Sequence, residues 1–144
     1  MAAPPDCVIC RGEAGDLELD RAFVWSDRLW RLSTSLRASI LGFSYLEPRR
    51  HIPYVADLDG PEADSLGTTL VRVTRFLRDQ ADADFMWVLV LGEHVPHLHF
   101  NIAPRRVGDA LLVEPVFVDP TVPKPTPAEH SAFVDRLRTA ATAL

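Results

Sequence analysis

The chain has 144 residues, of which 47% are hydrophobic and 24% are charged, a balance typical of a single soluble globular domain. Its formal net charge of −5 argues against a general nucleic-acid-binding surface. It contains no apolar run long enough for a transmembrane helix, and residues 1–6 lack the basic start and apolar centre of a signal peptide. We therefore expect a cytoplasmic domain in which thiols stay reduced.

Three strands and a long helix are predicted for the first half of the chain. Residues 22–27, 29–34 and 40–47 are rich in aromatic and β-branched side chains, and charged or proline positions bound them. Gly60 and Pro61 then open a helix, because proline is favoured at the first helical position. The buried stripe of this helix is predicted to contain Leu66, Leu70, Val73 and Leu77.

Two further strands are predicted in the second half. Residues 85–91 form a continuous apolar run, which predicts a central strand covered on both faces. Residues 97–103 alternate strictly, so that Leu98, Phe100 and Ile102 share one face. Residues 113–118 are predicted to form an edge segment, since Pro115 cannot donate to a β-ladder.

The C-terminal part is predicted to be an extended arm and a helix. The proline-rich residues 119–126 must be extended, and Thr126 with Glu129 forms a capping-box pattern for a helix over 127–144. The whole order predicts one α+β domain over residues 1–144, with a mostly antiparallel sheet, one central helix and one C-terminal helix.

Three of the five histidines lie within six residues, in the stretch Glu93 to Asn101. His97, His99 and Asn101 should point the same way, with the two histidines about 7 Å apart. An isolated histidine such as His94 or His130 is ordinarily a hydrogen-bonded core or surface residue, whereas a pair on one strand face can serve one site.

Cys7 and Cys10 form a C-x-x-C motif whose spacing suits a thiolate pair on one tetrahedral zinc ion. Two more ligands would be required, and histidines are the natural candidates because the chain has no other cysteine. A redox dithiol is disfavoured, since we predict no helix after the motif to lower a thiol pKa. Two ordinary buried cysteines remain the third interpretation.

Three ordered motifs together resemble the histidine triad (HIT) superfamily. They are C-x-x-C near the start, Pro48-Arg49-Arg50-His51-Ile52, and the segment from His97 to Arg105. Bacterial members of that superfamily carry C-x-x-C, P-K-x-H-I and H-φ-H-φ-H-φ-φ-P-R in this order and at similar spacing. The resemblance covers residues 7–106 and implies a HIT-like fold.

The resemblance also implies roles for individual residues. It implies a structural Zn²⁺ on Cys7, Cys10, His51 and His97, and it makes His99 the nucleophile that attacks a nucleotide α-phosphate and becomes a phosphohistidine. Small HIT proteins are usually homodimers, so we expect a dimer with residues 66–91 near its interface.

The sequence departs from the family pattern at several positions. Asn101 replaces the third histidine of the triad; it can donate to a phosphoryl oxygen but cannot act as a general acid at pH 7. Ser35 falls where an acidic residue usually binds the ribose hydroxyls. Phe43 follows Gly42 where a histidine is common, and residues 91–95 keep little of the usual glycine-rich elements.

Three functional hypotheses follow. The first is a hydrolase or transferase acting on a nucleotide or related phosphate ester, with His99 and Asn101 as catalytic residues. Its candidate substrate-binding residues are Arg105, Ser35 and His94. Two arginine pairs, Arg49-Arg50 and Arg105-Arg106, are expected to lie near one mouth of the site, where substrate phosphate would enter. The second is an enzyme of the same fold with a non-nucleotide substrate or changed chemistry. The third is a noncatalytic, zinc-stabilised binding module.

Overall fold

The protein is described from a computed structural model covering residues 4, 6–110, 121 and 123–144. Three helices lie in this part of the chain: α1 (Glu13–Glu18), α2 (Gly60–Ala81) and α3 (Pro127–Ala140). Five strands accompany them: β1 (Arg21–Ser26), β2 (Trp30–Ser35), β3 (Ser44–Pro48), β4 (Phe85–Val90) and β5 (Phe100–Arg105). Short 3₁₀ turns occur at Ile9–Arg11, Val55–Asp57 and Ala141–Ala143.

The five strands form one sheet in the order β1-β2-β3-β5-β4, and every neighbouring pair is antiparallel. β5 lies between β3 and β4, although it follows both in sequence, and this position brings the candidate site residues together. It places the segment carrying His97 and His99 beside the strand that leads into His51. The predicted α+β class with a mostly antiparallel sheet is confirmed.

One face of the sheet packs against α2 and α3. Alternation on β5 turns Phe100 and Ile102 toward this core, where they join Val73 and Leu77 of α2. Leu66 and Leu70 of the predicted stripe are partly buried against the same cluster. From α3 the core receives Phe133 and Leu137. The helical periodicity therefore predicted the buried faces correctly.

The predicted start of the last helix is also confirmed. Thr126 caps α3 by accepting from the Glu129 backbone N–H, while the Glu129 carboxylate accepts from the Thr126 backbone N–H. This reciprocal pair satisfies two helix-end donors. The helix is shorter than predicted, because residues 141–143 tighten into a 3₁₀ turn.

Three predictions about strands and helices were wrong. The strand predicted over 85–91 is β4 at the edge of the sheet, with Phe85 42% and Val90 42% exposed, and not a central strand. β3 begins at Ser44, because residues 40–43 form a turn in which Phe43 N–H donates to Ile40 O. Helical structure does accompany the C-x-x-C motif: the first 3₁₀ turn contains Cys10, and α1 follows the motif.

Two predicted segments lie outside the described residues. These are the edge segment over 113–118 and most of the extended arm over 119–126. Among the described helices, none is both long and apolar enough to cross a membrane.

Candidate active site and metal centre

Four side chains from three separate parts of the chain converge on one point. Cys7 and Cys10 come from the N-terminal segment, His51 follows β3, and His97 precedes β5. One ligand atom from each residue lies within 4.8 Å of the other three. The Sγ atoms of Cys7 and Cys10 are 3.4 and 3.3 Å from His97 Nδ1, and Cys10 Sγ is 3.4 Å from His51 Nδ1.

These distances fit a tetrahedral metal site. Zn–S bonds of about 2.3 Å and Zn–N bonds of about 2.0–2.1 Å place sulfur and nitrogen roughly 3.6 Å apart across a tetrahedron. His97 adds a second sign of fit, because its Nε2 lies 2.8 Å from Pro48 O. A carbonyl only accepts, so Nε2 carries the proton and Nδ1 presents its lone pair to the cluster.

Burial sets the protonation of this cluster. It lowers the pKa of His97 to about 4, so the imidazole is neutral at pH 7. Burial also raises the pKa of the Cys10 thiol to about 12, and the adjacent Cys7 adds to the rise. A reactive dithiol needs a depressed pKa, so the redox interpretation is disfavoured by the surroundings of Cys10, although a helix does follow the motif.

The four residues Cys7, Cys10, His51 and His97 are called the candidate metal cluster below. His99 lies two residues beyond His97 of this cluster and is half-buried. Its Nδ1 lies 2.7 Å from His97 O, so Nδ1 must be the protonated nitrogen and donates to that carbonyl. The Nε2 lone pair is therefore left for other chemistry. This is the tautomer that a nucleophilic histidine requires.

Comparison with known proteins finds similarity to histidine triad proteins. No family model matches the chain. A nitrilase and fragile histidine triad fusion protein from Drosophila melanogaster is 35% identical over 81 residues, which is 53% of this chain but only 18% of the fusion protein. A histidine triad protein structure from Bradyrhizobium japonicum is 28% identical, with a TM-score of 0.68, and the match covers 86% of this chain and 92% of that one.

Two more solved structures share the fold. A zinc-bound histidine triad family protein from Mycobacterium smegmatis has a TM-score of 0.71 at 22% identity, covering 96% of this chain and 94% of that one. A hypothetical histidine triad nucleotide-binding protein from Sulfolobus tokodaii has a TM-score of 0.68 at 19% identity, covering 96% and 93%. The chain has the fold of histidine triad (HIT) proteins and is HIT-like in that sense.

The HIT-like protein carries an amide at the third triad position, and the structure shows how it is held. Asn101 is 5% exposed, and its Nδ2 donates to Leu89 O at 3.2 Å on the neighbouring strand. Asn101 faces Tyr45 on β3 and Leu89 on β4 in the sheet register. It therefore lies on the sheet face opposite to that of Phe100 and Ile102. The strand predicted over 97–103 begins only at Phe100, so His97 and His99 stand in the segment before β5.

The candidate substrate-binding residues are not all brought to His99. Ser35 is buried, and its Oγ accepts from the backbone N–H groups of Arg37 and Ala38, so it stabilises the turn after β2. His94 is exposed in the connection between β4 and β5. Arg105 stands at the far end of β5, six residues after His99, a separation of about 20 Å for extended chain.

The two arginine pairs do not lie near one opening of the site, because β3 and β5 pair in antiparallel fashion. Arg49 and Arg50 follow the C-terminal end of β3, which lies beside the start of β5, whereas Arg105 and Arg106 stand at the far end of β5. Arg50 is also committed elsewhere, since its Nη2 lies 2.5 Å from Asp59 and 3.0 Å from Glu62.

Sequence reasoning missed a buried ionic network next to the metal cluster. Arg21 of β1 donates to Asp16 of α1 at 2.9 Å and to Glu47 of β3 at 2.6 Å, and Arg31 of β2 bonds to the same two carboxylates. Burial raises the pKa of Glu47, and the two arginines oppose that rise. The network ties α1, and with it the C-x-x-C segment, to three strands. The signal in the sequence was Glu47, the one charged residue of β3.

Proposed function

We propose that this HIT-like protein is a hydrolase or transferase that acts on a nucleotide or related phosphate ester through a phosphohistidine on His99. The observation that carries the proposal is the hydrogen bond from His99 Nδ1 to His97 O. It leaves Nε2 free to act as the nucleophilic atom, on a half-buried side chain two residues from His97 of the Cys/His cluster. The similarity to a histidine triad nucleotide-binding protein supports the nucleotide class of substrate.

The proposed reaction has two displacement steps. His99 Nε2 attacks the phosphorus, the N–P bond forms, and the bond to the leaving group breaks with its electron pair going to that group. The ring becomes positively charged, and its Nδ1–H donation to His97 O offsets part of that charge. Water or a second acceptor then attacks the phosphorus and releases His99.

Asn101 limits the leaving group in this scheme. An amide donates hydrogen bonds but supplies no proton at pH 7. Substrates whose leaving group is stable as an anion, such as the phosphate side of a dinucleoside polyphosphate, should therefore react better than a phosphoramidate. The amine of a phosphoramidate leaves only after it gains a proton.

We further propose that the metal is zinc, held by Cys7, Cys10, His51 and His97. The donor set of two thiols and two imidazoles supports this identity, as does the zinc-bound relative. Zinc held by four protein ligands supplies a closed tetrahedral cross-link with no open position for substrate. Its proposed role is structural: it fixes the segment before β5 and hence the carbonyl that orients His99.

The test is turnover of dinucleoside polyphosphates and adenosine phosphoramidate by purified wild-type protein and His99→Ala, with products separated chromatographically. We expect the wild type to release mononucleotide and His99→Ala to lose activity by about 10³-fold or more. The zinc content and melting temperature of the variant should equal those of the wild type. Full activity in folded His99→Ala would contradict the phosphohistidine mechanism.

A second variant tests the departure at the third triad position. Asn101→His restores a side chain that can carry a proton at neutral pH. If the amide limits departure of the leaving group, this variant should raise phosphoramidate turnover more than polyphosphate turnover. Nucleotide binding without turnover in both proteins would favour the noncatalytic binding module instead.

A further inference from the structure

A cavity of about 380 Å³ lies at the end of the sheet opposite the metal cluster. It opens between the C-terminal end of β5, the C-terminal end of α2 and one side of α3. Its apolar lining includes Ile40, Leu41, Pro104 and Phe133, and its charged lining consists of Arg105, Arg106, Arg136 and Asp109. Since β5 separates it from His99 by about 20 Å, it is not part of the site described above.

Arg105 is a buried cation whose donors are incompletely satisfied. Its side chain is 5% exposed, its guanidinium stacks over the Trp87 ring at 4.5 Å, and Nη2 donates to Ala110 O. Within the described part of the chain, Nε has no hydrogen-bond acceptor, and Asp109 Oδ2 stands 3.9 Å away. A buried charge of this kind is costly unless an anion approaches it.

The other two arginines donate to backbone carbonyls, and Arg106 Nη2 also lies 3.5 Å from the carboxylate of Asp82. Arg106 donates to Ala81 O and Arg136 to Gln80 O, both at the C-terminal end of α2. Helix capping accounts for where these guanidinium groups lie. The Asp82 carboxylate near Arg106 is 98% exposed and lies outside the cavity lining. Among the described residues no carboxylate pairs with Arg136, and the described lining sets three arginines against a single aspartate. This local excess occurs in a chain with a formal net charge of −5.

We propose that this cavity is a second ligand site, which binds a small phosphate-bearing molecule with an apolar group. Guanidinium groups present paired N–H donors that match phosphate oxygens. The apolar wall formed by Ile40, Leu41 and Phe133 suits a short hydrocarbon or aromatic substituent on the phosphate. The volume falls in the range of small-molecule sites. The proposal does not depend on any activity of His99.

Trp87 provides the readout, because its ring contacts Arg105. The experiment follows the indole N–H resonances of Trp25, Trp30 and Trp87 by NMR, assigned with Trp87→Phe, during titration with phenyl phosphate, inorganic phosphate or neutral phenol at constant ionic strength. We expect a saturable shift of the Trp87 signal with phenyl phosphate, a weaker response to inorganic phosphate, and none to phenol.

Two exposed arginines on the same helix provide a matched pair of variants. Arg136→Ala removes a cavity cation and should weaken phenyl phosphate binding about 10-fold, since a charge-assisted hydrogen bond contributes about 1.5 kcal/mol or more. Arg138→Ala removes a cation that binds Phe23 O outside the cavity lining and should leave the affinity unchanged. His99→Ala should also bind normally.

The proposal is overturned by any of three results. One is the lack of a saturable Trp87 shift up to about 10 mM phenyl phosphate, a range that covers even weak sites. Another is equal weakening by Arg136→Ala and Arg138→Ala, which would indicate nonspecific charge attraction. The third is loss of the Trp87 shift in His99→Ala, which would assign the ligand to the catalytic site.

Discussion

His97 and His99 lie two residues apart, yet they present opposite ring nitrogens. In His97 the proton sits on Nε2 and is donated to Pro48 O, so Nδ1 faces the two thiols. In His99 the proton sits on Nδ1 and is donated to His97 O, so Nε2 is available. Two backbone carbonyls thus turn one imidazole nitrogen toward the thiols and leave the other ring with a free Nε2, which suits the metal-ligand and nucleophile roles that we propose.

This division predicts different outcomes for two matched substitutions. His97→Ala should lower the zinc content to well below one equivalent and reduce the melting temperature by about 10 °C or more, because each kcal/mol lost shifts Tm by roughly 3–4 °C at this size. His99→Ala should change neither. The measurements are metal analysis of untagged protein and calorimetry.

Chelation provides the control for that prediction. A strong chelator should lower the melting temperature of the wild type to that of His97→Ala and should have little further effect on the variant. Wild-type protein that carries well under one zinc per chain, and whose melting temperature does not respond to chelation, would contradict a structural zinc site.

The convergence of Cys7, Cys10, His51 and His97 was predictable from sequence, because the residue types, their spacing and the family resemblance agreed. The network of Arg21, Arg31, Asp16 and Glu47 was not. Its ion pairs depend on which strand positions face each other across β1, β2 and β3 and on α1, which the sequence analysis did not anticipate. Hydrophobic periodicity carries no information about such cross-strand partners.

At the scale of elements, the turn that precedes β3 shows where local pattern reasoning failed. The apolar residues 40–43 were assigned to the strand, but Gly42 adopts φ +83° and turns the chain. A Cβ built on Gly42 would lie 2.9 Å from the Phe133 ring and 3.3 Å from Pro104 Cγ. The position therefore needs glycine for its backbone conformation and for close packing of α3.

Gly42→Ala should consequently destabilise the protein by about 2–4 kcal/mol, the sum of backbone strain and a steric clash. Gly108→Ala is the matched control, because Gly108 also has a positive φ, +90°, but among the described residues, apart from its chain neighbours, no atom lies within 4 Å of its built Cβ. That control should lose only the strain component, about 1 kcal/mol. Denaturant unfolding of both variants checks the difference, and equal losses would show that packing against Phe133 contributes nothing.

At the scale of the whole molecule, β4 presents an unusual sheet edge. It is a continuous apolar strand, yet Phe85, Val88 and Val90 are each about 40% exposed. Leu91, directly after β4, is 49% exposed, and Val71 on α2 is 47% exposed. Both add to the exposed apolar surface. Edge strands of stable monomers are normally protected by charge, proline or bulges. The apolar pattern that suggested a central strand is explained if a second copy covers this edge.

We therefore expect a homodimer in which two β4 strands pair across a two-fold axis and join the two sheets. Light scattering at micromolar concentration should give twice the 16.0 kDa chain mass. Val88 lies near the middle of β4, so Val88→Glu brings two carboxylates together in the pair and should yield a 16.0 kDa species. Leu17→Glu adds the same charge at an 81% exposed leucine on α1 and should leave the dimer intact. A wild-type monomer at tens of micromolar, or equal dissociation of both variants, would show that the exposed edge of β4 is not the contact between copies.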